Sequence, residues 1–427
     1  MSPSIRIATY GGGLAGAILV HGLLNYQQLD YQAFTADASF NEAPAAAITG
    51  LATNALNALE LLGPQTSRCF QRAQATSMKG VRFMLGQGKE GRFIAEEKSP
   101  DDGTPTLSMV YNAPFVDELL ACVPPERMHP SKKLEKIERK HDNGLIVLHF
   151  TDGTTHECDI LVAADGMDSF VRPYILGVDD HAASPRNTGA WAIIAQKNSA
   201  KAKEILGDDL LKENYECAWI GDGVFLEPSL FNLNGTELLN IIVASYDKEG
   251  EYSDRRRRVV HADELKELFK SWPDRPKMAV SELLCDRPEQ PAMYLWEHPP
   301  TRTYVSGSMC VLGDAAHEAV PWQGPSNGMM VEDVVILSTV LGRATSPAEA
   351  VVALEVYDEI RRPRTQRSVD SSRENGIIMT GRGKDTGMDL DKLQEKLLPR
   401  WYFIVDFDVE EHRAEAIQRL DSKLNKD

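Results

Sequence analysis

The sequence predicts an α/β chain in which a discontinuous parallel-sheet unit is interrupted by a β-rich unit and followed by a helical C-terminal region. Three observations predict it. The N-terminal stretch "IRIATYGGGLAGAILVHGLL" reads as strand, glycine turn and helix. Two later apolar strands, in "CDILVAADG" and "MCVLGDAAH", each end at an aspartate that opens a loop. Between them, over residues 185–300, the pattern changes to one of β-like runs.

Residues 4–10 alternate into a short apolar strand, 14–25 carry apolar residues at helical spacing, and 29–35 form a second strand. "ATNALNALELLG" (52–63) repeats the helical spacing and stops at Gly63 and Pro64. "FVDELLACV" (115–123) is a helix introduced by Pro114 in its first turn. "GLIVLHFTDGTTHECDILVAADG" gives strand, Asp-Gly turn and strand, with "DILVAAD" apolar enough for burial on both faces. A helix follows at "DSFVRPYIL", and "GAWAIIAQK", "GVFLEPSLF" and "ELLNIIVASY" supply a separate sheet. Strand, loop and helix return over 309–341, the helix opening at about Asn327; beyond 345 the chain is mostly helical and highly charged. The expected division is 1–72, 108–180 and 300–345 for a discontinuous nucleotide-binding domain, 73–107 and 181–299 for a β-rich substrate domain, and 346–427 for the helical region.

With 427 residues the chain can bury a large core. A formal charge of -17 argues against nucleic acid or an anionic membrane as a partner. The "DRRRR" run at 254–258 reads as a solvated helix face. Cys69, Cys122, Cys158, Cys217, Cys285 and Cys310 are widely spaced and form no CxxC pair, so the sequence suggests no metal site and no disulfide framework. No apolar run approaches the ~20 residues that span a bilayer, and the N-terminus enters a strand rather than a signal peptide. The expectation is a cytoplasmic protein; its oligomeric state is not legible.

Three motifs carry chemistry. Gly11-Gly12-Gly13-Leu14-Ala15-Gly16 satisfies GxGxxG between a strand and a helix, the Rossmann-like arrangement. Glycine there permits a tight turn, approach of a pyrophosphate to the helix N-terminus, and close helix–strand packing. The second is "CDILVAADGMDSFVRP" (158–173) and the third "MCVLGDAAHEAVPWQGPSNGMMVEDVVILSTVL" (309–341). In the third, Asp314 at a strand end can accept hydrogen bonds from sugar or ribityl hydroxyls, and the following helix N-terminus favours negative charge. His317 reads as a hydrogen-bonding residue of the helix start rather than an acid or base.

In this order and spacing the motifs resemble those of the single-component FAD-dependent aromatic hydroxylases, in their salicylate hydroxylase-like branch. The resemblance extends to "LEVYDEIRRPRTQRSVDSSRENG" (354–376) and "RWYFIVDFDVEEHRAEAI" (400–417). It implies FAD, with Gly11, Gly13 and Gly16 at its ADP part, Asp314 at its ribityl chain, and the loop carrying Pro321, Gly324, Asn327 and Gly328 at the isoalloxazine. Asp165, Gly166 and Arg172 would serve FAD packing and a transient NAD(P)H. The activity implied is hydroxylation of an aromatic or polyketide-like small molecule with O2, through a flavin C4a-hydroperoxide. Trp191, Phe225 and Trp322 are candidates to line the ring pocket.

Four places depart from the family pattern. Thr35 stands in place of a glutamate that holds the adenosine ribose, with Asp37 two residues on. "EAPAAAITG" (42–50) replaces a Glu-x-Gly-Ala-Gly turn and is about two residues longer. Asn112 replaces an arginine that braces FAD, and Ala192 replaces an arginine often used on an anionic substrate. Two lost charge-assisted hydrogen bonds at roughly 1.5–3 kcal/mol each predict a weakened hold on FAD. They leave open a same-fold protein that catalyses a non-oxidative cyclisation or rearrangement, or a non-catalytic binding protein.

Overall fold

The computed structural model describes residues 5–42, 47–99, 105–140, 144–233 and 235–425. The nucleotide-type sheet has six strands in the order 305–306, 309–311, 160–163, 5–10, 29–34, 128–129. Its centre is parallel, with Ile7 opposite Ile160 on one side and Tyr31 on the other. Ile5, Ile7, Ala8, Ile160, Leu161 and Val162 are all nearly inaccessible, as expected of parallel strands covered on both faces. Helices Gly13–Leu23 and Pro325–Arg343 belong to the same core, through residues such as Ile18, Leu19, Val331 and Val335.

An eight-stranded sheet, in the order 257–261, 289–297, 186–197, 236–246, 224–233, 215–220, 80–85, 92–98, forms the second layer system. Side chains alternate across it. One face packs Trp191, Ile193, Trp219 and Leu226 with Ala202, Leu265 and Val280 of three short helices. The other packs Ala190, Ala192, Phe225 and Ala244 with Val320, Trp322, Ile378 and Met379. The C-terminal region is four helices, the first running 33 residues from Pro347 to Met379 behind the N-cap Ser346.

Several boundaries differ from the sequence reading for local physical reasons. The second strand ends at Phe34, not at 35: the Thr35 amide still bonds to His129 of the neighbouring strand, but its carbonyl accepts from Lys132, past the end of that strand. Gly63 and Pro64 end one helix at Leu61 and begin another, Pro64–Arg72, since proline also suits a helix start. The helix expected over 115–123 runs from Asn112 to Leu120. The one expected near Asn327 begins at Pro325, behind Gly324 in the left-handed region (φ +62°). The 254–258 run is not a helix face. Residues 257–261 form an edge strand, Arg256 stacks 3.8 Å over Trp296, and Arg258 sits 4.8 Å over Trp191. Of the departing segment 42–50, residues 43–46 lie outside the described residues.

Candidate cofactor and substrate site

The glycine loop is shaped by contacts that exclude a side chain. Gly11 has φ +124°, and a Cβ there would lie 2.1 Å from the Ala164 carbonyl oxygen on the neighbouring strand. A Cβ at Gly16 would meet the Gly11 oxygen at 2.2 Å, which is the close helix–strand packing the motif predicts. Gly13, at φ +66°, faces open space at the start of the first helix. The loop amides of Gly11 and Gly13 are tied to the carbonyls of Phe34 and Phe40, both at 2.8 Å.

That open space is a cavity of about 320 Å³ lined by Gly12, Gly13, Asp37, Glu42, Asn112, Gly166, Asp314, Asn327 and Met330, among others. All three sequence motifs therefore meet in one place. Thr35 does not line it: the side chain is buried, and its hydroxyl is 3.4 Å from Asp37 Oδ2. Asp37 reaches the cavity instead. Asn112 does line it, with its Oδ1 accepting a hydrogen bond from the Thr49 hydroxyl and its backbone N–H donating to the Ala47 carbonyl. Among the described residues no arginine or lysine lines this cavity, so the donors that face a pyrophosphate there are uncharged: backbone amides, the helix N-terminus and the side-chain amides of asparagine.

Asp165 and Arg172 work behind the cavity wall. Asp165 accepts from Ser169 Oγ at 2.6 Å and from the amides of Phe170 and Val171, bracing the turn that follows Gly166. Arg172 is 1% exposed; it donates to the carbonyls of Ala182, Ala315 and Ala316. Burial lowers its pKa to about 10, which leaves it charged at neutral pH. The second motif thus clamps the short helix Asp314–His317 of the third. Asp314 itself is open to water through the cavity, yet protein atoms crowd its other sides, and burial pushes its carboxyl up despite the nearby His317. Pro321 and Gly324 are exposed on the loop, and Gly328 packs toward Asn54.

A buried ionic network under this motif was not foreseen from the sequence. His317 Nε2 lies 2.6 Å from Asp333 Oδ2, the oxygen that also accepts from the Gly313 amide. Arg361 pairs with both Asp333 and Glu332 at 2.8 Å, and Glu332 also meets Arg364 and Asn54. The signal available was charge in apolar surroundings: "MMVEDVVIL" carries two acids inside a buried helix.

On the substrate side, Trp322 packs edge-on to Phe225 (5.6 Å) and parallel to Tyr246 (6.4 Å, 13°). Gly376 makes room for it, since a Cβ there would lie 2.3 Å from Trp322 Nε1. Beside it, Val320, Tyr246, Tyr252, Ile377 and Arg382 line a second cavity of about 320 Å³, together with Arg186, Glu297 and Arg373. Glu297 is fully buried and pairs with both Arg186 and Arg373 at 2.7 Å. Arg382 stacks 5.0 Å over Tyr246, and no carboxylate pairs with it among the described residues. Trp191 is not in this group. It points to the opposite face of the sheet and is a core residue; its neighbour Ala192 faces the site side.

The sequence profile described as "FAD binding domain" matches residues 130–372, more than half of the chain. The chain belongs to this FAD-binding family. It is 29% identical over 423 residues to the 6-methylsalicylate 1-monooxygenase atA of Aspergillus terreus, covering 97% of this chain and 92% of that one. It is 28% identical over 432 residues to a salicylate hydroxylase of Pseudomonas putida, covering 97% and 95%. A solved salicylate hydroxylase substrate complex shares its fold with a TM-score of 0.83 at 23% identity, over 97% of this chain and 98% of that chain. The expectation of an FAD-dependent monooxygenase of the salicylate hydroxylase-like branch is thereby borne out. The residues present fit FAD: Gly11 and Gly16 occupy positions a Cβ would block, and Gly13 and Gly166 border the space left open. Among the described residues no helix is long and apolar enough to cross a membrane.

Proposed function

We propose that the chain uses FAD, reduced by NAD(P)H, to hydroxylate a small aromatic molecule with O2. One observation carries this reading. A single segment, 314–330, contributes Asp314, Asn327 and Met330 to the glycine-loop cavity and Val320 to the aromatic-walled cavity, so one loop serves cofactor and ring together. Gly11, Gly13 and Gly16 would admit the ADP part, Asp314 would accept from the ribityl hydroxyls, and the Pro321–Gly328 stretch would border the isoalloxazine. When bound, FAD supplies the electron transfer and oxygen activation that no side chain provides. In this reading the six-stranded sheet with its 1–72, 108–180 and 300–345 segments carries the cofactor, and the 73–107 and 181–299 segments carry the substrate.

The protein's own work is positioning and exclusion of water. Tyr246 and Tyr252 line the cavity and would offer flat faces to a ring, while Trp322, with Phe225 against it, backs Tyr246 from the core. Arg382 is placed to meet an anionic substituent, a task that Ala192 cannot perform. Arg172 and the Asp333–Arg361 pair hold Asp314 in place and touch no substrate.

The test is a titration of the purified chain with FAD, followed by NADH or NADPH oxidation with a panel of hydroxylated benzoates and uncharged phenols. Saturable flavin binding and oxidation stimulated by a panel member, with a hydroxylated product, are expected. A flavin-loaded protein that no panel member stimulates and that yields no hydroxylated product would overturn the reading.

A further inference from the structure

We propose that His21, Cys69 and Cys122 form a binding site for a thiophilic metal ion of the zinc type. One imidazole nitrogen and two sulfurs lie within 4.8 Å of one another. They come from three elements: the end of the first helix, the helix Pro64–Arg72, and the turn just after Asn112–Leu120. His21 is nine residues into the helix that starts at the glycine loop, about 12 Å along its axis from Gly13.

The imidazole is set up as a ligand. His21 is 4% exposed, its Nδ1 lies 3.1 Å from the Thr66 hydroxyl, and its Nε2 has no hydrogen-bond partner. A buried nitrogen left unpaired is costly and calls for an occupant. With Nδ1–H donated to Thr66, the Nε2 lone pair is free, which is how metal-bound histidines are commonly oriented. Burial also lowers the His21 pKa, favouring the neutral ring that a metal requires.

The two sulfurs decide the class of metal. Two thiolates and an imidazole suit zinc rather than the oxygen-seeking magnesium or calcium. Zinc bonds of about 2.0–2.3 Å draw donors to within roughly 3.3–3.8 Å of each other, so the cluster must contract by about 1 Å. Cys122 can supply that movement, being only half-buried and beyond its helix end, and it also gives the ion a way in. Without metal, burial and the neighbouring Cys122 push Cys69 up to about 11, so Cys69 is a thiol. Binding releases the Cys69 proton to solvent, and two thiolates with Zn²⁺ make a neutral unit. Arg72 donates to Cys69 Sγ at 3.3 Å, and the Gln65 amide nitrogen lies 3.0 Å from Cys122 Sγ. The fourth position is left to water.

The ion would brace the glycine-loop helix against the helix that begins at Asn112. The experiment uses the reduced, chelator-treated full chain dialysed against Zn²⁺, with bound metal measured by mass spectrometry and Co²⁺ used as an absorbing probe. One equivalent of zinc, a sulfur-to-cobalt charge-transfer band and a rise in Tm with Zn²⁺ are expected. Cys122→Ser and His21→Gln should each weaken binding by at least about tenfold, whereas Cys285→Ser, a half-buried cysteine elsewhere, should not. Cys122→Ser is the safer variant, because its site is partly exposed and the fold should persist. Absence of stoichiometric zinc in the reduced wild type, or unchanged affinity in folded Cys122→Ser, would overturn the proposal. So would a Cys69–Cys122 disulfide whose reduction yields no zinc binding. Flavin binding and hydroxylation are separate readouts, so this proposal and the proposed function fail independently.

Discussion

Arg361 and Asp333 meet in a fully buried ion pair, Nε to Oδ1 at 2.8 Å, and the other oxygen of Asp333 holds the Gly313 amide. The residue before Asp314 is therefore fixed by two long helices packed beneath it. Removing one partner strands a buried charge. Arg361→Met should cost about 3–5 kcal/mol in urea unfolding, while Arg362→Met, a half-buried neighbour paired with Asp358, should cost at most about 1 kcal/mol. Similar midpoints for the two variants would show that the network does not carry this load.

A cation can be returned to the cofactor cavity. Asn112 lines it and, among the described residues, no arginine or lysine does. Asn112→Arg adds a charge-assisted donor worth about 1.5–3 kcal/mol, so FAD should bind roughly 10–100-fold more tightly by equilibrium fluorescence titration. Unchanged affinity would mean that Asn112 lies away from the bound cofactor.

Arg382 should govern recognition of an anionic substituent. Arg382→Met is expected to raise KM for a carboxylated aromatic by tenfold or more, about 1.4 kcal/mol, with a smaller effect on kcat and little on an uncharged phenol. An equal loss on both ligands would assign Arg382 to structure alone. Trp191→Phe, altering the opposite face of the sheet, should lower Tm and leave KM within about twofold.

Glu216 and Glu227 lie on the same face of adjacent strands, where Glu216 pairs with Ser229 two residues from Glu227. Burial pushes Glu227 up to about 7, and burial with the Glu227 charge pushes Glu216 well above the usual range. The fold thus prefers protonated acids. The contribution of Glu227 is complete below a pH of about 4.5 and is lost as pH rises through about 7. Glu227→Gln cannot ionise, so its stability relative to wild type should improve by ~1 kcal/mol or more between pH 6 and 8. A pH-independent difference between the two would remove the ionisation argument.

Much of this was legible because it is written in local patterns. The βαβ opening, the glycine turn, the strand-end Asp314 and the β-rich insertion each show in spacing or punctuation, and family motifs gave the cofactor. The rest depends on what meets in space. Trp191 and Ala192 are neighbours in sequence, and only the strand's phase decides which faces the site. Asp37 rather than Thr35 reaches the cavity because the strand ends one residue early. Arg361, Arg382 and the His21, Cys69, Cys122 cluster draw their meaning from partners dozens of residues away, which no local spacing announces.

The most direct measurement is isotopic. Reaction of the FAD-loaded chain with NAD(P)H, an aromatic substrate and ¹⁸O2 should place one ¹⁸O atom in the product, as a new ring hydroxyl, and none from labelled water. A product formed without oxygen from O2, or with oxygen from water, would contradict the assignment as a hydroxylase.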